Sequence, residues 1–205
     1  MRWISGVFLL LLSASIFFAG TMDRWHGINL TQKSDTVRLR EKITELIAPG
    51  AKINEIVFFR ASGIGLTNIA GSANIFYAGA NAGALEIIDL ASWNITHGKK
   101  TAGRFPAGGA AVSEIDFTMI PAVLEQAIRA LEDENLEYKG ISELRVMPGP
   151  AKTEYEFTLF GKSPDYGAWR KFKLKKFYYC RELKFAVSAD GNVTLQKIGE
   201  FEWVR

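Results

Sequence analysis

An uncharged apolar segment near the amino terminus constrains this chain more than any other feature of its sequence. Residues 3–20 contain no Asp, Glu, Lys or Arg, and only glycine, alanine and serine interrupt the large apolar side chains. The core of a signal peptide has about 7 to 15 residues, and a transmembrane helix has about 20. Because a helix of a soluble domain would also show a polar face, residues 3–20 predict a segment that inserts into a membrane.

The residues at the end of this segment distinguish an anchor from a cleaved signal peptide. Cleavage after Ala19 or Gly20 would place Phe17 or Phe18 where signal peptidase requires a small side chain. Cleavage after Thr21, which places Ala19 at that position, is the alternative. The sequence therefore favours an uncleaved single-pass anchor, and a secreted protein is expected if the segment is cleaved.

The charges that flank residues 3–20 predict the orientation. Arg2 and the amino terminus precede the segment, whereas Asp23 and Arg24 follow it and nearly cancel. By the positive-inside rule the short amino-terminal flank stays in the cytoplasm. The rest of the chain is therefore predicted to be extracytoplasmic, in the periplasm or at the cell surface.

A single cysteine, Cys180, limits how the exported part can be stabilised. Its distance from residues 3–20 excludes the usual lipid-modified form, and one cysteine cannot form an internal disulfide. The domain must be stabilised by packing, which a chain of this length can provide. Cys180 lies in a predicted strand and is expected to be a small buried apolar residue, with an intermolecular disulfide as the alternative.

The first half of the exported part predicts a helix followed by strands. Residues 21–34 have no clear period and predict a juxtamembrane connector. A helix is predicted next, with Asp35 as its N-cap and an end before Pro49. Its apolar residues share one face and are Leu39, Ile43, Leu46 and Ile47. Strands are predicted at 53–61, 72–79 and 84–96.

The second half shows the same order. A helix is predicted with Pro121 in its first turn and one apolar stripe, formed by Val123, Leu124, Ala127, Ile128 and Leu131. Strands are predicted at 142–147, 154–161, 169–180, 181–188 and 192–199. Turn residues at 189–192 predict a hairpin between the last two.

These patterns predict an α+β fold with two helix-on-antiparallel-sheet modules. The predicted modules are residues 35–98 and 113–205, joined by a glycine- and alanine-rich linker at 99–112. A single larger sheet that carries both helices is the alternative. The helix at 116–135, the strands after it and the SADGNV hairpin resemble PepSY-type modules, which are small helix-on-meander domains of exported bacterial proteins. The resemblance implies a binding or inhibitory module in the envelope and transfers no functional residue.

A basic and aromatic stretch at 167–185 is the first candidate site. In RKFKLK the lysines alternate with apolar residues, which predicts one solvated face, and the pattern slips by one position at Lys175-Lys176. The chain from Thr21 onward has 24 basic residues, the total of 25 less Arg2, against 22 acidic residues. This balance argues against nucleic acid binding. The residues predicted to contact an anionic surface are Arg170, Lys171, Lys173, Lys175 and Lys176.

A glycine-rich tract at 61–86 is the second candidate site. It is not a phosphate loop, because Asn68 stands where the G-x-G-x-x-G pattern requires glycine. Small residues in strands permit bulges and close backbone approach, so the tract is also a candidate partner groove. The residues of that groove are Gly63, Gly65, Gly71, Gly79 and Gly83.

No catalytic, cofactor or metal site is predicted, because His26 and His97 have no metal-like spacing to a second ligand. The sequence predicts a membrane-anchored, extracytoplasmic binding or scaffolding protein without a cofactor, with a protein partner in the envelope. Two alternatives remain open. They are an envelope hydrolase with a spatially assembled site and a structural protein that contacts lipid or wall polymer.

Overall fold

The computed structural model describes residues 27–204 except positions 64, 80–81, 100–108, 150–152, 165–168, 173–174 and 189–191. The predicted anchor at 3–20 and most of the predicted linker at 99–112 lie outside the described residues. So do the side chains of 169–172, 175–177, 201 and 203. Within the described part, neither helix has the length and apolar character needed to cross a bilayer.

Both predicted helices form, and each has 14 residues. α1 spans Lys33–Leu46 and α2 spans Ile120–Asp133. Pro121 lies in the first turn of α2, where its missing N–H needs no partner. Four residues of the predicted apolar stripe of α2 are buried, namely Val123, Leu124, Ala127 and Leu131. Ile128 is only partly buried against the core, and Ile120, which was not predicted, is buried as well.

The predicted N-cap of α1 is wrong by three residues. Gln32 is the N-cap, and Asp35 lies buried in the first turn. The Asp35 carboxylate accepts a hydrogen bond from the backbone N–H of Asn29 at 3.1 Å, so it fixes the chain before the helix. A carboxylate in the first turn is also stabilised by the helix dipole. The predicted connector at 21–34 ends correspondingly early, because Ile28–Asn29 already forms a strand.

The described residues form one antiparallel sheet of eleven strands. The strands are β1 (Ile28–Asn29), β2 (Lys52–Arg60), β3 (Ile69–Tyr77), β4 (Leu85–Asp89), β5 (Ile95–His97), β6 (Ala110–Ala111), β7 (Glu137–Pro148), β8 (Thr153–Lys162), β9 (Trp169–Phe172), β10 (Lys175–Val187) and β11 (Val193–Val204). Their order is β11-β10-β8-β7-β2-β3-β4-β5, with β1 paired to β3, β6 to β2 and β9 to β10. β6 lies at the end of the predicted linker, which is therefore not irregular throughout.

The pairing of β2 with β7 joins the two predicted modules into one sheet. Phe58 pairs with Leu144, and Ile56 pairs with Val146. Paired residues share a face, and these four side chains belong to one buried core together with both helices. The architecture is thus the larger single sheet that the sequence left as the alternative. Whether residues 35–98 and 113–205 fold as separate modules stays a prediction.

The predicted strand at 169–180 is replaced by a hairpin. β9 and β10 are antiparallel, with Phe172 paired to Lys175, so the chain reverses between these residues. This reversal explains the slip of the pattern at Lys175-Lys176. β10 then continues without interruption through the strand predicted at 181–188. The last predicted hairpin is confirmed by the pairing of Val187 with Val193, although residues 189–191 lie outside the description.

Several strands begin or end on the same side of the sheet, and we call this side the β1 end because β1 lies there. Ala70 in β3 pairs both with Ile28 in β1 and with Arg60, the last residue of β2. On the other half of the sheet, the last residue of β8, Lys162, pairs with Glu137 at the start of β7 and with Cys180 in β10. The β9–β10 hairpin therefore extends from the β1 end.

Candidate functional site

A cleft of about 350 Å³ opens at the β1 end, across the ends of β2, β3 and β4. We call it the Arg60–Asp89 cleft. At this cleft, Ser72 of β3 pairs with Phe59 of β2 on one side and with Asp89 of β4 on the other. The residues that line it are Arg60, Ala61, Ser62, Gly71, Ser72, Asp89 and Ala91.

Close backbone approach and a register shift shape this cleft. A Cβ atom on Gly71 would lie 2.6 Å from the Cα atom of Ala61, so only glycine permits this spacing. The register between β2 and β3 also shifts between Phe59 and Arg60, as in a β-bulge, which redirects the side chain at the end of a strand. At Gly71 the close approach is to the loop after β2 and not to a helix.

Asp89 presents a fixed negative charge to the cleft. Its Oδ1 accepts hydrogen bonds from the backbone N–H of Ser92 at 2.7 Å and of Ala91 at 3.0 Å. The Ser92 hydroxyl donates to the same oxygen at 2.9 Å. The backbone hydrogen bond from Ser92 is the main cause of a lowered pKa for Asp89. The carboxylate therefore stays ionised at neutral pH and cannot turn freely.

Arg60 also lines the cleft, but its guanidinium lies on the β8 side of β2. Its guanidinium carbon lies 5.3 Å from the ring centroid of Phe160, and Nη1 donates a hydrogen bond to the carbonyl of Gly65 at 3.4 Å. Burial lowers the pKa of Arg60, while the nearby Glu182 carboxylate opposes that change. An arginine remains charged under these conditions. The lining therefore contains residues of both charges, Arg60 and Asp89, and two serines, Ser62 and Ser72.

The loop after β2 is tied to both halves of the sheet. The carbonyl of Thr67 accepts a hydrogen bond from the Ile141 N–H, and the carbonyl of Asn68 accepts one from the Leu30 N–H, both at 3.0 Å. The Tyr138 hydroxyl donates to the Asn68 side-chain oxygen. Since Ala61 and Ser62 belong to the same loop, these bonds hold one wall of the cleft in place.

The five glycines of the predicted partner groove do not lie together. Gly63 and Gly65 lie in the loop after β2, with positive φ, and Gly71 lies in the cleft. Gly79 and Gly83 lie beyond the other end of β3. A nine-residue strand such as β3 spans about 27 Å, so one groove cannot include all five. Partner binding by either group stays a prediction.

The structure brings four of the five predicted basic contact residues together. Arg170 and Lys171 are in β9, and Lys175 and Lys176 are in β10. Lys173 lies outside the described residues, as do the side chains of the other four. Their contact with an anionic surface stays a prediction.

Sequence reasoning did not single out Arg60 or Asp89. Neither residue belongs to a motif. Both line the same cleft only because β3 pairs with β2 on one side and with β4 on the other. Within the described residues, no group of three or more His, Cys, Asp or Glu side chains could hold a metal ion. His97 is an exposed residue whose Nδ1 lies 3.6 Å from Glu86, and His26 lies outside the description.

Cys180 is buried, as predicted, and we expect it to be unreactive in the native protein. It is 0 % exposed and packs with Phe160 and Val204. Burial raises the pKa of its thiol to about 11, so little thiolate exists at pH 8. Labelling with a disulfide reagent should be roughly a hundredfold slower in buffer than in guanidinium chloride, from the ratio of thiolate fractions. Equal rates in the two solutions would contradict this burial.

Comparisons with known proteins yield little for this chain. No protein-family model matches it, and no curated protein matches it. It is similar to a crystal structure of "a putative lipoprotein" from Clostridium difficile 630, with 14% sequence identity and a TM-score of 0.40. The similarity covers 82% of this chain and 91% of that chain. A likeness this distant supports no argument about fold or function, and the resemblance to PepSY-type modules stays a prediction.

Proposed function

We propose that this chain is an extracytoplasmic binding protein, held at the membrane by residues 3–20, and that the Arg60–Asp89 cleft is its recognition site. The observation that carries the proposal is a concave site with a cation, an anion and two hydroxyl-bearing residues on the ends of paired strands. Its volume lies within the range of about 300 to 1,000 Å³ that is typical of ligand sites. A polar segment of a protein partner, with charges of both signs, fits such a cleft.

The rigidity of the site supports the same function. Asp89 is fixed by three hydrogen bonds, and the Arg60 guanidinium stacks over Phe160. A binding site whose charged groups are already ordered loses less conformational entropy when its ligand arrives. The fixed Asp89 carboxylate on one side of the cleft also favours one orientation of the ligand over others. These properties suit recognition of a specific partner.

Filling the cleft tests this proposal. We expect Ser72→Phe to abolish capture of a stoichiometric partner from envelope extract, because the ring would occupy the space beside Asp89. The matched control is Asn74→Phe, two residues along the same strand and therefore on the same face, but outside the cleft lining. Quantitative mass spectrometry of proteins that co-purify with the full chain in mild detergent measures the effect. Thermal melts confirm that both variants fold.

Three outcomes separate the alternatives. Loss of a partner from Ser72→Phe alone supports the cleft as the recognition site. Equal loss from both variants, or from neither, contradicts it. If no partner is captured, and the unmodified chain instead hydrolyses envelope material in a manner that Ser72→Phe abolishes, the predicted hydrolase replaces the binding protein.

A further inference from the structure

The Asp89 carboxylate in the Arg60–Asp89 cleft has one oxygen that is fully used and one that is not. Oδ1 accepts three hydrogen bonds, two from the backbone N–H groups of Ala91 and Ser92 and one from the Ser92 hydroxyl. An ionised carboxylate has about four acceptor positions on its two oxygens, so three donors saturate Oδ1. Oδ2 accepts no hydrogen bond from any described residue. This second oxygen can therefore accept from a ligand.

The charge of Asp89 has no basic partner within the described part of the chain. Hydrogen bonds lower its pKa, first that from the Ser92 N–H, and no lysine or arginine contributes. The Arg60 guanidinium instead lies over the Phe160 ring, and the carboxylate that acts on it is Glu182. A cationic ligand group would compensate the charge that these residues leave uncompensated, whereas an anion beside Asp89 would be repelled.

The cleft continues onto the sheet face opposite to the two helices. Asp89 pairs with Ser72, Ser72 with Phe59, and Phe59 with Glu143, so these four side chains share one face. Phe58 belongs to the core that includes both helices, so Phe59 and its row lie on the other face. Neighbouring strands are about 4.8 Å apart, which places Glu143 about 14 Å from Asp89. A ligand in the cleft can therefore extend across Phe59 toward this second carboxylate.

Carboxylates outnumber basic groups on the part of this face that adjoins the cleft. Arg145 forms ion pairs with Glu143 at 2.5 Å and with Glu55 at 3.1 Å, and Glu156 also attracts it. Lys184 is the second basic partner, at 2.6 Å from Glu156. Three carboxylates thus share two basic groups, and the carboxylate of the cleft adds a further negative charge. This distribution favours a basic ligand over an acidic one.

We propose that the Arg60–Asp89 cleft binds a lysine side chain of the partner, whose ammonium group donates to Oδ2 of Asp89. The inference rests on the proposed function and names the chemical group that the site recognises. A guanidinium binds a carboxylate best when both oxygens accept, and Oδ1 is already used. An ammonium needs only one carboxylate oxygen, and its other protons can be donated to hydroxyls. Ser62 and Ser72 are the hydroxyl-bearing residues of the lining, and Ser72 adjoins Asp89 across the strands.

NMR titration of the full isotope-labelled chain in mild detergent tests this inference. The probes are N-acetyl-lysine methylamide, its arginine analogue and its norleucine analogue, which carries no charge. We expect saturable shifts of the Ala91 and Ser92 amide signals with the lysine probe, because both amides donate to the Asp89 carboxylate. Binding of the arginine and norleucine probes should be about tenfold weaker.

Three variants identify the group that binds the probe. Asp89→Asn should remove the response to lysine, since the amide keeps an oxygen that accepts in the turn but has no charge. Asp133→Asn is the matched control, because Asp133 is an exposed residue at the end of α2, and it should retain the response. Ser72→Ala leaves the turn at Asp89 intact and should weaken lysine binding about threefold.

The outcomes separate this inference from the proposed function. Equal binding of the lysine and norleucine probes, or of the lysine and arginine probes, overturns the ammonium site, as does binding that survives Asp89→Asn. Tighter binding of glycerophosphoethanolamine than of the lysine probe also overturns it and assigns the site to a lipid headgroup. Capture of a partner that Ser72→Phe abolishes, without any response to the lysine probe, overturns this inference alone. Capture that Ser72→Phe leaves unchanged, with a normal response to the probe, contradicts only the proposed function.

Discussion

Gly140→Ala is expected to lower the free energy of unfolding by about 3 kcal/mol or more, although Gly140 adds no side chain to the core. Its φ is +153°, and a Cβ atom there would lie 2.6 Å from the backbone N of Thr67 and 2.9 Å from its carbonyl oxygen. A strained backbone costs about 1 to 3 kcal/mol, and forced overpacking costs a similar amount. Because the obstacle is backbone, no side-chain rotation can relieve the clash.

Gly50→Ala is the matched control for this prediction. Gly50 also has positive φ, +79°, but a Cβ atom there would meet nothing within 4 Å. We expect a loss of about 1 kcal/mol from the backbone strain alone. Urea titration of both variants gives the comparison. Equal losses would show that the loop after β2 does not press against β7, and the described wall of the cleft would then be incorrect.

Phe58→Ala is expected to cost about 3 to 5 kcal/mol, the range for removal of a fully buried phenylalanine. Phe58 is 1 % exposed and lies in β2, the strand that pairs with both halves of the sheet. Its ring meets that of Phe117 edge-on, with centroids 6.4 Å apart. Phe117 comes from the second predicted module, so the variant removes a contact between the two halves.

The shape of the unfolding transition distinguishes one cooperative unit from two modules. With a shared core, Phe58→Ala should shift a single transition, and fluorescence and circular dichroism should report the same midpoint. Two separate transitions, of which the variant moves one, would instead support independent modules at 35–98 and 113–205. Phe59→Ala is the control, because Phe59 lies on the opposite face of β2, is only partly buried and should cost less.

The cleft and the hairpin both lie at the β1 end, although different strands build them. In the proposed function the chain is attached to the membrane, where it meets a partner that is anchored in the same membrane. Tethering raises the effective concentration of two such molecules without any new contact. A modest affinity at the cleft would then be sufficient.

Local patterns predicted those parts of the fold whose stability depends on neighbours in sequence. The helix with Pro121 in its first turn and the strand at 154–161, which is β8, were identified correctly, because one buried face imposes a period on the residues of a helix or strand. The start of α1 was misplaced. The Asp35 carboxylate accepts a hydrogen bond from the Asn29 N–H and does not cap the helix. The sequence shows that a carboxylate is present, but it does not show which donor the carboxylate bonds.

Other features depend on pairings between distant residues. The reversal between Phe172 and Lys175 follows from the pairing of β10 with both β8 and β9. The sequence at the reversal has no glycine, proline or asparagine to mark a turn. Arg60 and Asp89 likewise became one site only when β3 aligned between β2 and β4.

The sequence by itself determined the apolar segment that predicts membrane attachment, the two helices and the alternating strands, since hydrophobic periodicity and charge are properties of consecutive residues. The tertiary structure decided that both halves share one sheet, that a cleft lies at the β1 end and that β9 and β10 pair as a hairpin. These features arise from hydrogen bonds between strands far apart in sequence, and the same local patterns are compatible with more than one such pairing.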